Sequence, residues 1–175
     1  MFDIKPYILD IPNYPEEGVV FKDITPLLAH PEAFRAAITQ IAEHFADKGI
    51  TKVIGAEARG FIIGTPVAYE MKAGFIPARK PGKLPRKTLS VEYALEYGTD
   101  RLEIHDDALS CDDVVLIVDD VLATGGTACA QIEMVKQAGA KLAGFAFILE
   151  LDFLKGRDKI TQEGEYDILS LMNVE

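Results

Sequence analysis

The stretch Val114-Val115-Leu116-Ile117-Val118-Asp119-Asp120-Val121-Leu122-Ala123-Thr124-Gly125-Gly126-Thr127 constrains this chain more than any other. Its first five residues are apolar and mostly β-branched, which predicts a strand buried on both faces, as in a parallel sheet. Two carboxylates follow at its carboxyl end, where open α/β sheets place their ligands. Beyond the loop, Ala128, Ile132, Val135 and Ala138 fall on one face of a predicted helix.

Each part of the motif has a chemical use. Gly125 and Gly126 let the backbone turn so that its N–H groups converge. Thr124 and Thr127 add hydroxyl donors, and the helix N-terminus adds positive potential. Together they form a cradle for a phosphate dianion. Ionised, Asp119 and Asp120 only accept hydrogen bonds, so they suit hydroxyl donors or a metal ion. A phosphate beside a diol describes a ribose 5-phosphate. The loop is not a Walker A, because no Lys follows its glycines, and no G-x-G-x-x-G is present.

The rest of the chain is consistent with one domain. Its 175 residues, 49% hydrophobic and 26% charged, suffice for a proper core. A formal net charge of -10 argues against nucleic-acid or anionic-membrane partners, and requires local cations wherever an anion binds. Cys111 and Cys129 form neither a disulfide framework nor a metal-ligand spacing. With charged residues among its first apolar ones and no run of spanning length, the chain reads as soluble and cytoplasmic.

Residues 1–30 are proline-punctuated and read as irregular, yet too apolar to be a disordered tail. A strap over the core, or a cover supplying a slot for a flat ligand, both fit. A helix from Pro31 carries Phe34, Ile38, Ile41 and Phe45 as its buried stripe and stops at Gly49. His30 and His44 receive no role. The strand 52–56 delivers Glu57-Ala58-Arg59-Gly60 and a helix from about Phe61 to Lys72. An Arg on such a loop can grip phosphate in bidentate fashion, or simply pair with the neighbouring Glu at the surface.

A third strand, 74–78, delivers the basic run Arg79-Lys80-Pro81-Gly82-Lys83-Leu84-Pro85-Arg86-Lys87, placed for local anion binding. Residues 88–105 alternate weakly about the turn 96–100, as expected of a two-stranded lid. Lys141 to Leu149 reads as the last strong strand, followed by a short polar segment through Lys155, Gly156 and Arg157. Tyr166 to Met172 is a candidate final strand. Alternating strands and helices argue for a parallel sheet covered on both faces.

Taken together, these pieces resemble the type I phosphoribosyltransferases, and among them the adenine phosphoribosyltransferases. The likeness runs from about residue 5 to 170. It rests on 114–127, Glu57-Ala58-Arg59-Gly60, Arg79 to Pro85, Tyr93-Ala94-Leu95-Glu96-Tyr97-Gly98, Gly18 to Ile24 and Glu150-Leu151. The resemblance implies one domain over 1–175, with an α/β core over 31–150. A hood comes from 1–30 with C-terminal elements, and a flexible two-stranded lid spans 81–105.

The implied reaction moves the 5-phosphoribosyl group of phosphoribosyl pyrophosphate (PRPP) to N9 of adenine, giving AMP and pyrophosphate. Mg²⁺ is implied as cofactor, held mainly by PRPP with no protein ligand assigned, and a homodimer is implied as the assembly. Ala123, Thr124, Gly125, Gly126 and Thr127 then hold the 5-phosphate, and Asp119 and Asp120 the ribose hydroxyls. Ala58, Arg59, Arg79, Lys80 and Lys83 face the pyrophosphate. Adenine lies between Phe21 and Leu151, its edge read by the backbone of Val20 and Lys22. Lys22 stands where the family usually has Arg. Tyr93, Glu96 and Tyr97 belong to the lid, with Glu96 the candidate partner for adenine's ring protons. Glu96, Asp119, Asp120 and Arg59 form the catalytic set. The family's Glu57–Ala58–Arg59 loop commonly contains a cis peptide. Two alternatives are a 6-oxopurine phosphoribosyltransferase (hypoxanthine, guanine or xanthine) and a non-catalytic PRPP-sensing regulator. The acidic charge and the absence of a nucleic-acid-binding surface disfavour the regulator.

Overall fold

In the computed structural model, which describes residues 2–94 and 99–175, the central motif becomes β7 (Val114–Leu122) in the middle of a five-stranded sheet. Its neighbours are β3 (Lys52–Ala56) and β8 (Lys141–Leu151), with β4 (Gly74–Ala78) and β9 (Asp167–Val174) at the edges. Every pairing is parallel. Val115 to Val118 are fully buried, and alternate residues serve opposite faces. Leu116 and Val118 pack with α2 (Pro31–His44) and α3 (Arg59–Glu70). Val115 and Ile117 pack with α4 (Gly126–Gln137). The ladder outlasts the apolar run: Asp119 still pairs with Phe147 and Leu122 with Glu150.

On α2 the buried stripe is Ala33, Ala37, Ile38 and Ile41. Phe34, expected there, is only half-buried, because small alanines let the helix seat closer along their own line. His30 caps this helix, its Nδ1 accepting from the Ala33 N–H at 3.3 Å.

Residues 2–30 are more regular than expected. They form an antiparallel hairpin of β1 (Leu9–Pro12) and β2 (Val20–Asp23), then the short α1 (Thr25–Ala29). Local polar bonds supply this order where apolar periodicity does not. Asn13 adopts a positive φ and accepts from the Gly18 N–H at 3.0 Å, while Asp23 accepts from both the N–H and the hydroxyl of Thr25. Ile4, Ile24 and Leu27 anchor the segment in the core beside α2.

The strands β5 (Thr88–Ala94) and β6 (Thr99–His105) pair antiparallel, as expected. Their Val91, Leu102 and Ile104 are buried with α4, so the root of this hairpin is part of the core. Residues 95–98, with Glu96 and Tyr97, lie outside the described residues. The polar segment after β8 proves to contain a helix, α5 (Gly156–Glu163). Only Gly156 and Ile160 of it are buried, so almost no apolar period marks it in the sequence. Among the described residues no helix is long and apolar enough to cross a membrane.

Candidate active site

The carboxyl ends of β3 and β7 open onto a cavity of about 250 Å³. It is lined by Ala58, Arg59, Lys80, Tyr93, Asp119, Asp120 and the loop from Ala123 to Thr127, together with Glu57 and Gln131. Gly125 takes the left-handed conformation (φ 78°) that turns the chain from β7 into α4. Its carbonyl accepts from the Cys129 N–H at 2.9 Å, so the donors of the first helical turn face back over the loop. At the start of α3, a Cβ on Gly60 would stand 2.8 Å from Asp119 Oδ1. Only glycine there lets the Arg59 loop close over the acid pair.

The ion pairs differ from the simplest sequence reading. Arg59 does not pair with Glu57; its Nε forms an ion pair with Asp120 Oδ2 at 2.7 Å, and its guanidinium lies 5.5 Å from the centre of the Phe21 ring. Glu57 instead gathers the basic run. It accepts from Arg79 Nε at 3.0 Å, from Lys83 Nζ at 3.0 Å and from the Lys80 N–H at 2.8 Å. Burial pushes this carboxyl up, but those donors outweigh it and hold it below its ordinary value. Lys80 pairs with Asp100 and reaches the Tyr93 hydroxyl at 3.3 Å. Burial pushes the Lys80 ammonium down, and Asp100, followed by Tyr93, more than restores it. Arg86 pairs with Asp107 and Lys87 with Asp106. The basic run is thus matched by carboxylates throughout, as an acidic protein permits.

Asp119 is different. Its Oδ1 accepts from the Asp120 N–H at 2.9 Å, but burial and then the charge of Asp120 push its carboxyl well above the usual range. The Glu57–Ala58 peptide is cis.

Several expected residues do not line this cavity. Arg79 and Lys83 are held on Glu57. Val20, Phe21, Lys22 and Leu151 lie outside its wall, although the Arg59–Phe21 stack ties the hairpin to it. Lys22 Nζ is engaged by Asp10 at 2.7 Å and lines a separate depression with Lys5, Ile8 and Met172.

Further supports around the cavity carry no motif in the sequence. Among the described residues three polar or charged side chains are buried: Asp120 at 6% exposure, Gln131 at 1% and Glu150 at 3%. Glu150 accepts from Arg157 at Nε (2.8 Å) and Nη2 (2.5 Å), and from Ser170 Oγ at 2.6 Å. This clamp fixes α5 behind the loop that follows β7, where a Cβ on Gly125 would stand 2.8 Å from the Gly156 carbonyl oxygen. One signal was available for Gln131: it is polar, yet adjoins the apolar stripe of α4.

A parallel sheet with paired acids and a glycine-turned helix start at its carboxyl edge, opposite an Arg-bearing loop, defines a type I phosphoribosyltransferase. The family model for the phosphoribosyl transferase domain matches residues 23–168. An adenine phosphoribosyltransferase of Solidesulfovibrio magneticus is 53% identical over 97% of this chain and 99% of its own length. The crystal structure of adenine phosphoribosyltransferase from Thermoanaerobacter pseudethanolicus superposes with a TM-score of 0.92 at 47% identity, covering 98% of each chain. The Giardia lamblia enzyme complexed with 9-deazaadenine gives 0.91 at 38% identity, over 99% of this chain and 97% of that one. This chain belongs to the adenine phosphoribosyltransferases.

Proposed function

We propose that this cavity binds PRPP and transfers its 5-phosphoribosyl group to N9 of adenine, forming AMP and pyrophosphate in purine salvage. One observation carries the reading: the acid pair Asp119–Asp120 and the loop from Ala123 to Thr127 share a cavity with Arg59 and Lys80. In the proposal the loop and the first turn of α4 take the 5-phosphate. Asp119 and Asp120 accept the ribose hydroxyls. Hydroxyl donors from the sugar would offset the burial that raises the Asp119 carboxyl, and the Asp120–Arg59 pair opens or turns to admit the sugar.

Cleavage of the C1′–O bond develops positive charge on the sugar and negative charge on the leaving diphosphate. Arg59, Lys80 and the backbone at Ala58 stabilise that leaving group, with Arg79 and Lys83 recruited from Glu57. Asp119 and Asp120 are hard oxygen donors suited to Mg²⁺, and among the described residues no group of three or more His, Cys, Asp or Glu gathers as a separate metal site. In the proposal the ion would be held mainly by PRPP, where it would neutralise charge on the diphosphate.

The hairpin around Tyr93, with Glu96 and Tyr97, acts as the lid that keeps water from the sugar cation. Adenine occupies the slot between Phe21 and Leu151. Pro12 pairs with Val20 and has no N–H to offer its carbonyl, which favours that carbonyl as acceptor for the adenine amino group. Because Lys22 Nζ already engages Asp10, a Lys in place of Arg leaves the backbone reading of the base intact. The proposal includes a cytoplasmic homodimer.

The test is to incubate the protein with PRPP, Mg²⁺ and each purine base separately and to measure nucleotide. AMP from adenine alone is expected, abolished by Asp119→Asn with Asp120→Asn. IMP or GMP would overturn the base assignment. Tight PRPP binding with no product would replace the enzyme with a PRPP sensor.

A further inference from the structure

Gln131 stands apart from the other two buried polar side chains. Asp120 has Arg59, and Glu150 has Arg157 and Ser170. The Gln131 carboxamide is just as deeply buried, at 1% exposure, yet its Nε2 has no hydrogen-bond partner among the described residues. It sits one helical turn beyond Thr127 and, with Thr127 and Ala128, belongs to the same wall of the cavity as the phosphate loop. Its fellow lining residues Leu102 and Phe147 are apolar and offer no side-chain acceptor.

A buried donor left unmade is costly, and an apolar side chain of similar shape would avoid the cost. α4 nonetheless carries this carboxamide beside Ala128 and Ile132, on its inward face. The arrangement is explained if the bound ligand supplies the missing partner.

The geometry points to Gln131 as a hydrogen-bond donor to the phosphoribosyl group of PRPP, gripping the sugar phosphate from the α4 wall while Asp119 and Asp120 take its hydroxyls. This rests on the assignment of the cavity to PRPP. Asp119, Asp120 and Glu57, which share the cavity, accept but do not donate when ionised. Gln131 would thus add a neutral donor on the α4 wall beside Thr127, complementing the cations Arg59 and Lys80 toward an oxygen-rich ligand.

The inference makes an unusual joint demand on Gln131→Leu. Removing the unmatched amide should leave the melting temperature of the free protein unchanged or raise it. Its equilibrium dissociation constant for ribose 5-phosphate, measured by calorimetry, should rise by about three- to tenfold, the worth of one hydrogen bond. The KM for PRPP should rise in parallel while the KM for adenine stays put. Gln131→Glu, which offers acceptors only, should weaken ribose 5-phosphate at least as much. Affinity within twofold of the parent for both variants would overturn the inference, whichever way stability moves. If the parent protein itself fails to bind ribose 5-phosphate, the PRPP assignment falls and takes this inference with it.

Discussion

A Cβ placed on Gly156 would run into the carbonyl oxygen of Ala123, so the first turn of α5 packs backbone against backbone behind the loop that follows β7. The glycine is required by proximity rather than by turning. Gly156→Ala should push the loop forward, at an overpacking cost of about 1–3 kcal/mol in stability. Steady-state kinetics should then record a KM for PRPP raised about tenfold or more, with the KM for adenine little changed.

The clamp that holds α5 there is equally exposed to test. Arg157→Leu leaves the Glu150 carboxylate buried without its bidentate partner, which should destabilise the fold by about 3 kcal/mol. Chemical denaturation measures this directly. The double variant Glu150→Gln with Arg157→Leu should recover part of the loss, because no orphaned charge remains.

Asp119 gives a stability prediction with a definite sign. Its carboxyl is raised in the folded protein, so the folded state binds the extra proton between the ordinary carboxylate pKa and the raised one. Its contribution is complete below that window and is lost as pH rises through it. Asp119→Asn should therefore raise the melting temperature at neutral pH and abolish nucleotide formation. Thermal unfolding across pH 4 to 8 and the AMP assay separate the two effects.

Glu57 behaves in the opposite sense. Its carboxyl is lowered, so its stabilisation is present above the ordinary Glu pKa and lost as pH falls through the folded value. Glu57→Gln should flatten the acid limb of the stability profile. It should also cost about 1.5–3 kcal/mol at pH 7, the worth of hydrogen bonds to a charged group, as measured by chemical denaturation at pH 7 and again at about pH 3, below the ordinary Glu pKa.

The sheet was legible because its strands are pure: 52–56 and 74–78 coincide with β3 and β4, and the apolar run from Val114 to Val118 opens β7, with Val115 to Val118 fully buried. The gathering of Asp119, Asp120 and the loop from Ala123 to Thr127 was legible for a related reason, since all lie in one continuous stretch and local geometry alone brings them together. α5 and the β1–β2 hairpin were not legible. Their order comes from Ile160, Ile24 and Leu27 finding distant cores, and from side-chain bonds such as Asp23 to Thr25.

Charge partners were the least readable feature. Glu57 and Arg59 are two residues apart, yet Arg59 crosses to Asp120 on the next strand and Glu57 to Arg79 and Lys83 beyond β4. Sequence by itself determined the parallel α/β core and the glycine-turned loop from Ala123 to Thr127, because apolar runs and glycine conformations act over a few residues. Only the tertiary structure decided which carboxylate meets which cation, and that Gln131 is buried with its donor unmatched. Those outcomes depend on Coulomb attraction and burial between segments that meet only after the sheet has assembled.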